Sequence, residues 1–161
     1  MSAELTQQTR DHAISESKVA VLSYDVEVIS PADTSGITLV ETTLRERFSG
    51  GLNGDAIAKH LRVMRPDGTG TFTCVERFAG TLGGRSGSFA LTADGFTDEA
   101  GVVHGRWEIV RGSGTGELDG LRGFASFYAK PDPESQTGWA ARDVLTYWFE
   151  GEPVQHRETP A

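Results

Sequence analysis

Cysteine is almost missing from this chain. Cys74 is the single one among 161 residues, so no intramolecular disulfide can form, and the reducing cytoplasm is the expected compartment. Long apolar runs are missing too: no stretch could span a bilayer as a helix, and residues 1–11 hold no apolar segment of the signal-peptide kind. Positive charge is in deficit, with 15 Lys and Arg against 23 Asp and Glu and a formal net charge of -8. A phosphate backbone calls for a basic face, so nucleic acid is excluded as the expected partner, and so is membrane insertion. Clean helical periodicity is lacking as well. Glycine, by contrast, is abundant: 20 glycines and 6 prolines punctuate short runs rich in β-branched and aromatic residues, the pattern of strands joined by tight turns. The length suits one domain with one core, and the expected class is all-β.

One motif is used twice. Glu46-Arg47-Phe48-Ser49-Gly50-Gly51-Leu52-Asn53-Gly54 returns as Glu76-Arg77-Phe78-Ala79-Gly80-Thr81-Leu82-Gly83-Gly84, and Gly116-Glu117-Leu118-Asp119-Gly120 repeats the Gly-x-Leu-x-Gly part. Strands are expected over 19–29, 37–48, 56–64, 70–78, 86–92, 102–110, 124–129 and 142–150, with turn chemistry between them, including Pro66-Asp67-Gly68 and Asp94-Gly95. The three Gly-x-Leu-x-Gly segments follow the second, fourth and sixth strands. In a meander they share one end, where each Leu folds inward from a common glycine-framed turn. Eight strands with hairpin-length connections close into an antiparallel up-and-down barrel, which leaves no exposed edge. Residues 1–17 read as a polar arm, 18–150 as a single barrel domain, and 151–161 as a disordered tail.

The block Glu76-Arg77-Phe78-x-Gly80-Thr81-Leu82-x-Gly84-Arg85-Ser86-Gly87-Ser88-Phe89, followed by Gly112-Ser113-Gly114-Thr115-Gly116-x-Leu118-x-Gly120-Leu121-x-Gly123, resembles a bacterial family of small proteins of unknown function. That family has barrels related in shape to plant allene oxide cyclase and to dirigent proteins. The resemblance spans about 19–150. It implies an allene-oxide-cyclase-like barrel of a kind that often forms homo-oligomers, and it carries over no catalytic residue. The longer polar arm and the Pro131-Asp132-Pro133-Glu134 insertion depart from the family's pattern.

Alternation puts Val40, Leu44, Glu46 and Phe48 on one face of the second strand, and Phe72, Cys74, Glu76 and Phe78 on one face of the fourth. If those faces line the lumen, two carboxyl groups enter an apolar interior. Burial and mutual repulsion then raise their pKa values towards neutrality and make Glu46 and Glu76 candidate acids or bases. The plainer alternative pairs each Glu with an Arg or Tyr at the rim, and a β-bulge would reverse the parity altogether. Tyr147, alternating with Asp143, Leu145 and Phe149, is a candidate phenolic donor. Tyr24 (on a face with Leu22, Val26 and Val28), Leu44, Phe48, Phe72, Cys74, Phe78 and Trp107 are candidate lining residues, each also an ordinary packing residue. His60 and His104 sit on strand faces where either can serve as a base, yet neither has a companion at metal-ligand spacing, so no metal and no cofactor are expected. Cys74 reads as a small buried hydrophobe and Arg45, Arg47 and Arg77 as an outer charged stripe. The glycine-rich 112–116 lacks the Gly-Lys-Ser/Thr ending of a phosphate loop.

The expected function is a cofactor-independent isomerase or cyclase acting on an apolar oxygenated small molecule. The alternatives are a non-catalytic carrier or sensor of a lipophilic molecule, and a filled barrel acting through self-association.

Overall fold

The computed structural model describes residues 12–151, which form one closed antiparallel barrel whose strands run β1 to β8 in sequence order, with β1 paired to β8. The strands are β1 (Ala13–Ser30), β2 (Thr38–Gly50), β3 (Leu52–Met64), β4 (Gly70–Leu82), β5 (Arg85–Thr97), β6 (Val103–Ile109), β7 (Leu121–Pro131) and β8 (Trp139–Phe149). A 3-10 turn, Gly116–Leu118, precedes β7. Among the described residues no helix is long and apolar enough to cross a membrane.

Alternation sends every second side chain inward and divides the interior by height. At the end where β2 meets β3 and β4 meets β5, Leu52, Leu82, Leu118, Leu121 and Leu145 pack with Phe78 and Phe89 and fill the barrel. Nearer the opposite end Val21, Leu44, Ala58, Phe72, Cys74 and Val103 form a thinner apolar wall. Between the two lies a layer of rings, with Phe48 edge-on to Phe78 at 5.4 Å, Phe78 against Phe89 at 5.1 Å and Phe89 stacked on Trp107 at 6.2 Å. One end is therefore plugged and the other is hollow.

The strands run longer than periodicity indicates. β1 begins at Ala13, so residues 13–17, expected in the polar arm, belong to the barrel and pair with β8 from Ala13↔Tyr147 to Ser17↔Asp143. Their inward side chains are Ser15 and Ser17, and the Ser17 hydroxyl accepts a hydrogen bond from the Leu52 backbone N–H at 2.9 Å. A polar inner face hides a strand from hydrophobic alternation. Asp94-Gly95, expected as a turn, lies inside β5, where Gly95 is paired with both Phe72 and Gly105. Of the expected tails, residues 1–11 and 152–161 lie outside the described residues.

The shared-turn expectation divides. All three motif leucines are buried in the plugged end, at 1%, 1% and 0% exposure for Leu52, Leu82 and Leu118. The backbones that deliver them differ. Gly51 alone separates β2 from β3, and the Asn53 side chain bridges that turn by accepting from the Gly50 N–H and donating to the Gly50 carbonyl. The second copy turns two to three positions further on in the motif, at Gly83-Gly84, with φ of 58° and 88°, as a two-residue hairpin requires. Gly80 stays within β4. The third copy is the 3-10 turn.

Candidate functional site

The hollow end of the barrel encloses a cavity of about 320 Å³. Its wall is mostly apolar, and three carboxyl side chains reach into it: Glu46 from β2, Glu76 from β4 and Asp143 from β8. Each arrives by strand parity. Glu46 is two residues before Phe48 and Glu76 two before Phe78, so both occupy the level next to the ring layer. The repeated Glu-Arg-Phe thus brings one inward acid to each of two strands while sending Arg47 and Arg77 outside.

Glu46 and Glu76 are hydrogen-bonded to each other. Two carboxyl groups can bond only if one holds a proton. Burial pushes Glu46 up to about 7, against which the bond to Glu76 works. Burial, then the charges of Glu46 and Asp143, hold Glu76 well above the usual carboxylate range. Asp143 is pushed up to about 7 by burial, opposed by its hydrogen bond from Trp107 and reinforced by the Glu46 charge; the Trp107 indole Nε1–H donates to Asp143 Oδ2 at 2.8 Å. The cavity therefore holds a set of acids that exchange protons near neutral pH, where solvated carboxylates are fully ionised.

Trp107→Phe removes the indole donor that steadies Asp143 as an anion. The expected loss of stability exceeds any packing loss by about 1–3 kcal/mol at pH 8, where Asp143 is ionised, and shrinks to the packing loss alone at pH 5. Urea unfolding at the two pH values checks this. An equal loss at both would contradict the pairing.

Of the expected lining residues, Tyr24, Leu44, Phe48, Cys74 and Trp107 face the cavity. Tyr24 reaches it by a route that alternation alone misses: a register shift between Val21 and Ser23 makes Leu22 an extra residue, so the inward set runs Val19, Val21, Tyr24, Val26. Leu22 does not share that face. Phe78 is fully buried in the ring layer below the cavity, and Phe72 stacks on the His60 ring at 4.9 Å; neither lines the cavity. Tyr147 is inward but at the plugged end, where its hydroxyl lies near Gly83 and its ring meets Phe149, so it is not brought to the carboxyl set. Cys74 donates its thiol to the Val75 carbonyl at 3.5 Å, and burial with the Glu76 and Glu46 charges pushes its pKa upward, which keeps it a thiol.

His60 lines the cavity, but burial and the neighbouring Arg62 charge lower it to about 3, so it is a neutral imidazole rather than a base poised at neutrality. His104 instead pairs with Asp98 at 2.9 Å on the outer surface. Among the described residues no three His, Cys, Asp or Glu side chains converge as metal ligands do. A larger hollow of about 880 Å³ lies on the outer wall around Lys59, Leu61, Val75 and Phe124, and none of the three carboxyls lines it.

Among the lining groups that sequence reasoning missed, two are charged or ionisable, Asp143 and Arg62. Both carry a signal in parity, Asp143 in the set with Leu145 and Arg62 in the set with His60 and Met64. What parity lacks is the height at which each inward residue stands.

A closed eight-stranded antiparallel barrel with an acid-bearing cavity at one end is the class of protein that fold and site define. The chain belongs to the family described as protein of unknown function (DUF3224), which matches residues 16–137. It is similar to the crystal structure of a DUF3224 family protein of unknown function from Shewanella oneidensis MR-1, with 25% identity over 88% of this chain and 99% of that one and a TM-score of 0.62. No curated protein matches. Glu46, His60, Arg62 and Glu76 fall within the matched span, whereas Asp143 lies beyond it.

Proposed function

We propose that this protein is a cofactor-independent isomerase or cyclase that takes one small, apolar, oxygenated molecule into the barrel and moves a proton on it with Glu46, Glu76 and Asp143. The observation that carries the reading is the placement of three carboxyl side chains in one mainly apolar cavity, with two of them hydrogen-bonded to each other. Burying charge without a cation beside it is costly, and an interior built for stability alone has little use for three such groups. A neutral carboxyl donates its proton to a carbonyl or epoxide oxygen as that oxygen gains electron density; the carboxylate it leaves recovers a proton from the rearranged product. No redox partner enters such a cycle. The apolar wall excludes water and restricts the substrate's conformations, which favours ring closure. The shape kinship of the resembled family to allene oxide cyclase and dirigent proteins supports the reading by analogy at the level of fold.

The cavity stands near the lower end of the small-ligand range, roughly 300–1,000 Å³. Native mass spectrometry of protein purified gently from its own host, followed by solvent extraction, is expected to release a molecule of that size and to show more than one copy of the chain per assembly. Incubated with that molecule, the parent should yield an isomer of unchanged mass, and Glu76→Gln should turn it over at least ~100-fold more slowly while keeping the fold. A fully active Glu76→Gln sinks the catalytic assignment. Tight binding with no turnover by either chain points instead to a carrier.

A further inference from the structure

Among the described residues, Arg62 is a cation inside the barrel without an anion. It lines the same cavity as the three carboxyls, and it forms no ion pair with any of them. Of the five N–H donors of a guanidinium, one finds a partner among the described residues: Nη2 donates to His60 Nδ1 at 3.2 Å. Nε is buried with no partner. The Phe72 ring lies 5.5 Å from Cζ and supplies a π face but no counter-charge. Burial lowers the Arg62 pKa, yet a guanidinium remains charged throughout the neutral range. A partly buried cation without an anion carries a desolvation cost, and none of the three carboxyls in the same cavity is used to neutralise it.

His60 explains how the cation is held. With Nδ1 accepting from Arg62, its ring proton sits on Nε2, and the ring is clamped against Phe72 at 4.9 Å. His60 is thus a positioning residue for the guanidinium. Along β3 the order runs Ala58, paired with Glu76, then His60, then Arg62, then Met64 at the strand's end. Arg62 therefore stands nearer the open end of the barrel than the carboxyls do. The guanidinium and the carboxyls thus stand at two levels of the cavity, with His60 between them along β3.

Resting on the lumenal reading above, we infer that the molecule taken up is a monocarboxylate, with its carboxylate on the Arg62 guanidinium and its apolar, reacting body directed inward to Glu46, Glu76 and Asp143. One guanidinium offsets one negative charge, and its planar fork matches a carboxylate. The inner acids oppose the reverse orientation, because any of them that is ionised repels a second carboxylate. The same repulsion disfavours dianions such as phosphate monoesters. A water's share of liquid volume is about 30 Å³, so the cavity holds on the order of ten waters' worth of ligand, the scale of a short aryl or alkyl acid.

The test uses two probes of equal size, 4-phenylbutanoate and 4-phenylbutanamide, titrated calorimetrically into the whole chain at mildly alkaline pH. The acid is expected to bind roughly ten- to a hundredfold tighter than the amide, the worth of one charge-assisted hydrogen bond. Arg62→Met should bring the acid down to the level of the amide, and Arg62→Lys should keep part of the preference. If the amide binds the parent as tightly as the acid does, the Arg62 assignment is overturned while the lumen remains a binding site. If neither binds at millimolar concentration, both this inference and the lumenal reading fall. The comparison of probes on the parent decides the matter even if a variant does not fold.

Discussion

At pH 8 the Glu76→Gln chain should melt higher than its parent, and the gap should close at pH 5. The prediction follows from where the protons are. Glu46 titrates at about 7 in the folded protein and Glu76 is held well above the usual carboxylate range, whereas both return to about 4.5 when unfolding exposes them. Between those values the folded chain binds more protons than the unfolded one, so stability falls as pH rises. The contribution is complete below the unfolded value and lost once pH has passed the folded one. One pKa unit is worth about 1.4 kcal/mol, so the Glu46 shift alone corresponds to on the order of 3 kcal/mol, and Glu76 adds in the same sense.

Asp143 acts in the same sense. His60 opposes it: its folded value of about 3 lies below the ordinary 6.5, so its contribution is present above 6.5 and lost as pH falls towards 3. The carboxylates with lowered values, Asp33, Asp55, Asp67, Asp98 and Glu150, are exposed and lose their contribution only on acidification below the usual carboxylate range, outside this window. Glutamine at position 76 is neutral at every pH, and its amide still donates to Glu46, which can then ionise at lower cost. The expected gain at pH 8 is roughly 5–10 °C in melting temperature for a domain of this size. Calorimetric melting of both chains at pH 5 and pH 8 measures it. An equal difference at the two pH values, or a less stable variant at pH 8, would contradict the buried acid pair.

Gly80→Ala should be far more damaging than Gly84→Ala, although the two glycines frame one motif. A Cβ on Gly80 would lie 2.1 Å from the Asn53 carbonyl oxygen and 2.7 Å from the Gly54 Cα, both backbone atoms of the adjoining β3. The constraint is mutual, because a Cβ on Gly54 would meet the Ala79 carbonyl oxygen at 2.2 Å. Gly54, Gly80 and Gly87 face one another across β3, β4 and β5, so one methyl group must push whole strands apart. The expected loss is about 3 kcal/mol or more. Gly84 meets nothing within 4 Å, and its constraint is the φ of 88° alone. Alanine there should cost about 1–2 kcal/mol. Thermal unfolding of the two variants checks the ranking, and equal losses would mean that both glycines act only through the turn.

These two glycines mark the boundary between what could be read and what could not. The motif Gly-x-Leu-x-Gly correctly places three leucines in one plug, because a leucine among glycines at a strand end has few apolar surroundings other than the core. It misassigns the backbone, since a glycine needed for a turn and a glycine needed for close strand approach are the same letter. Likewise Ser15 and Ser17 conceal the first turns of β1. Ser17 accepts from the Leu52 N–H and Ser15 sits against Gly51 with its hydroxyl unpartnered among the described residues, so neither presents an apolar side chain and no hydrophobic period is left to detect.

Sequence by itself determined the class, the number and order of strands, and the inward direction of Glu46 and Glu76, because side-chain alternation is a local property of extended backbone and the repeat applies it twice. Tertiary structure alone decided which inward residues share a level. Asp143 and Tyr147 lie on the same face of β8 four residues apart, yet the first enters the cavity and the second lies in the plugged end. Tyr24 enters by virtue of a one-residue bulge. Arg62 comes to share a space with three acids that it does not touch. Parity is set within a strand, but height is set by the register between strands and by closure of the barrel, and those depend on all eight strands at once.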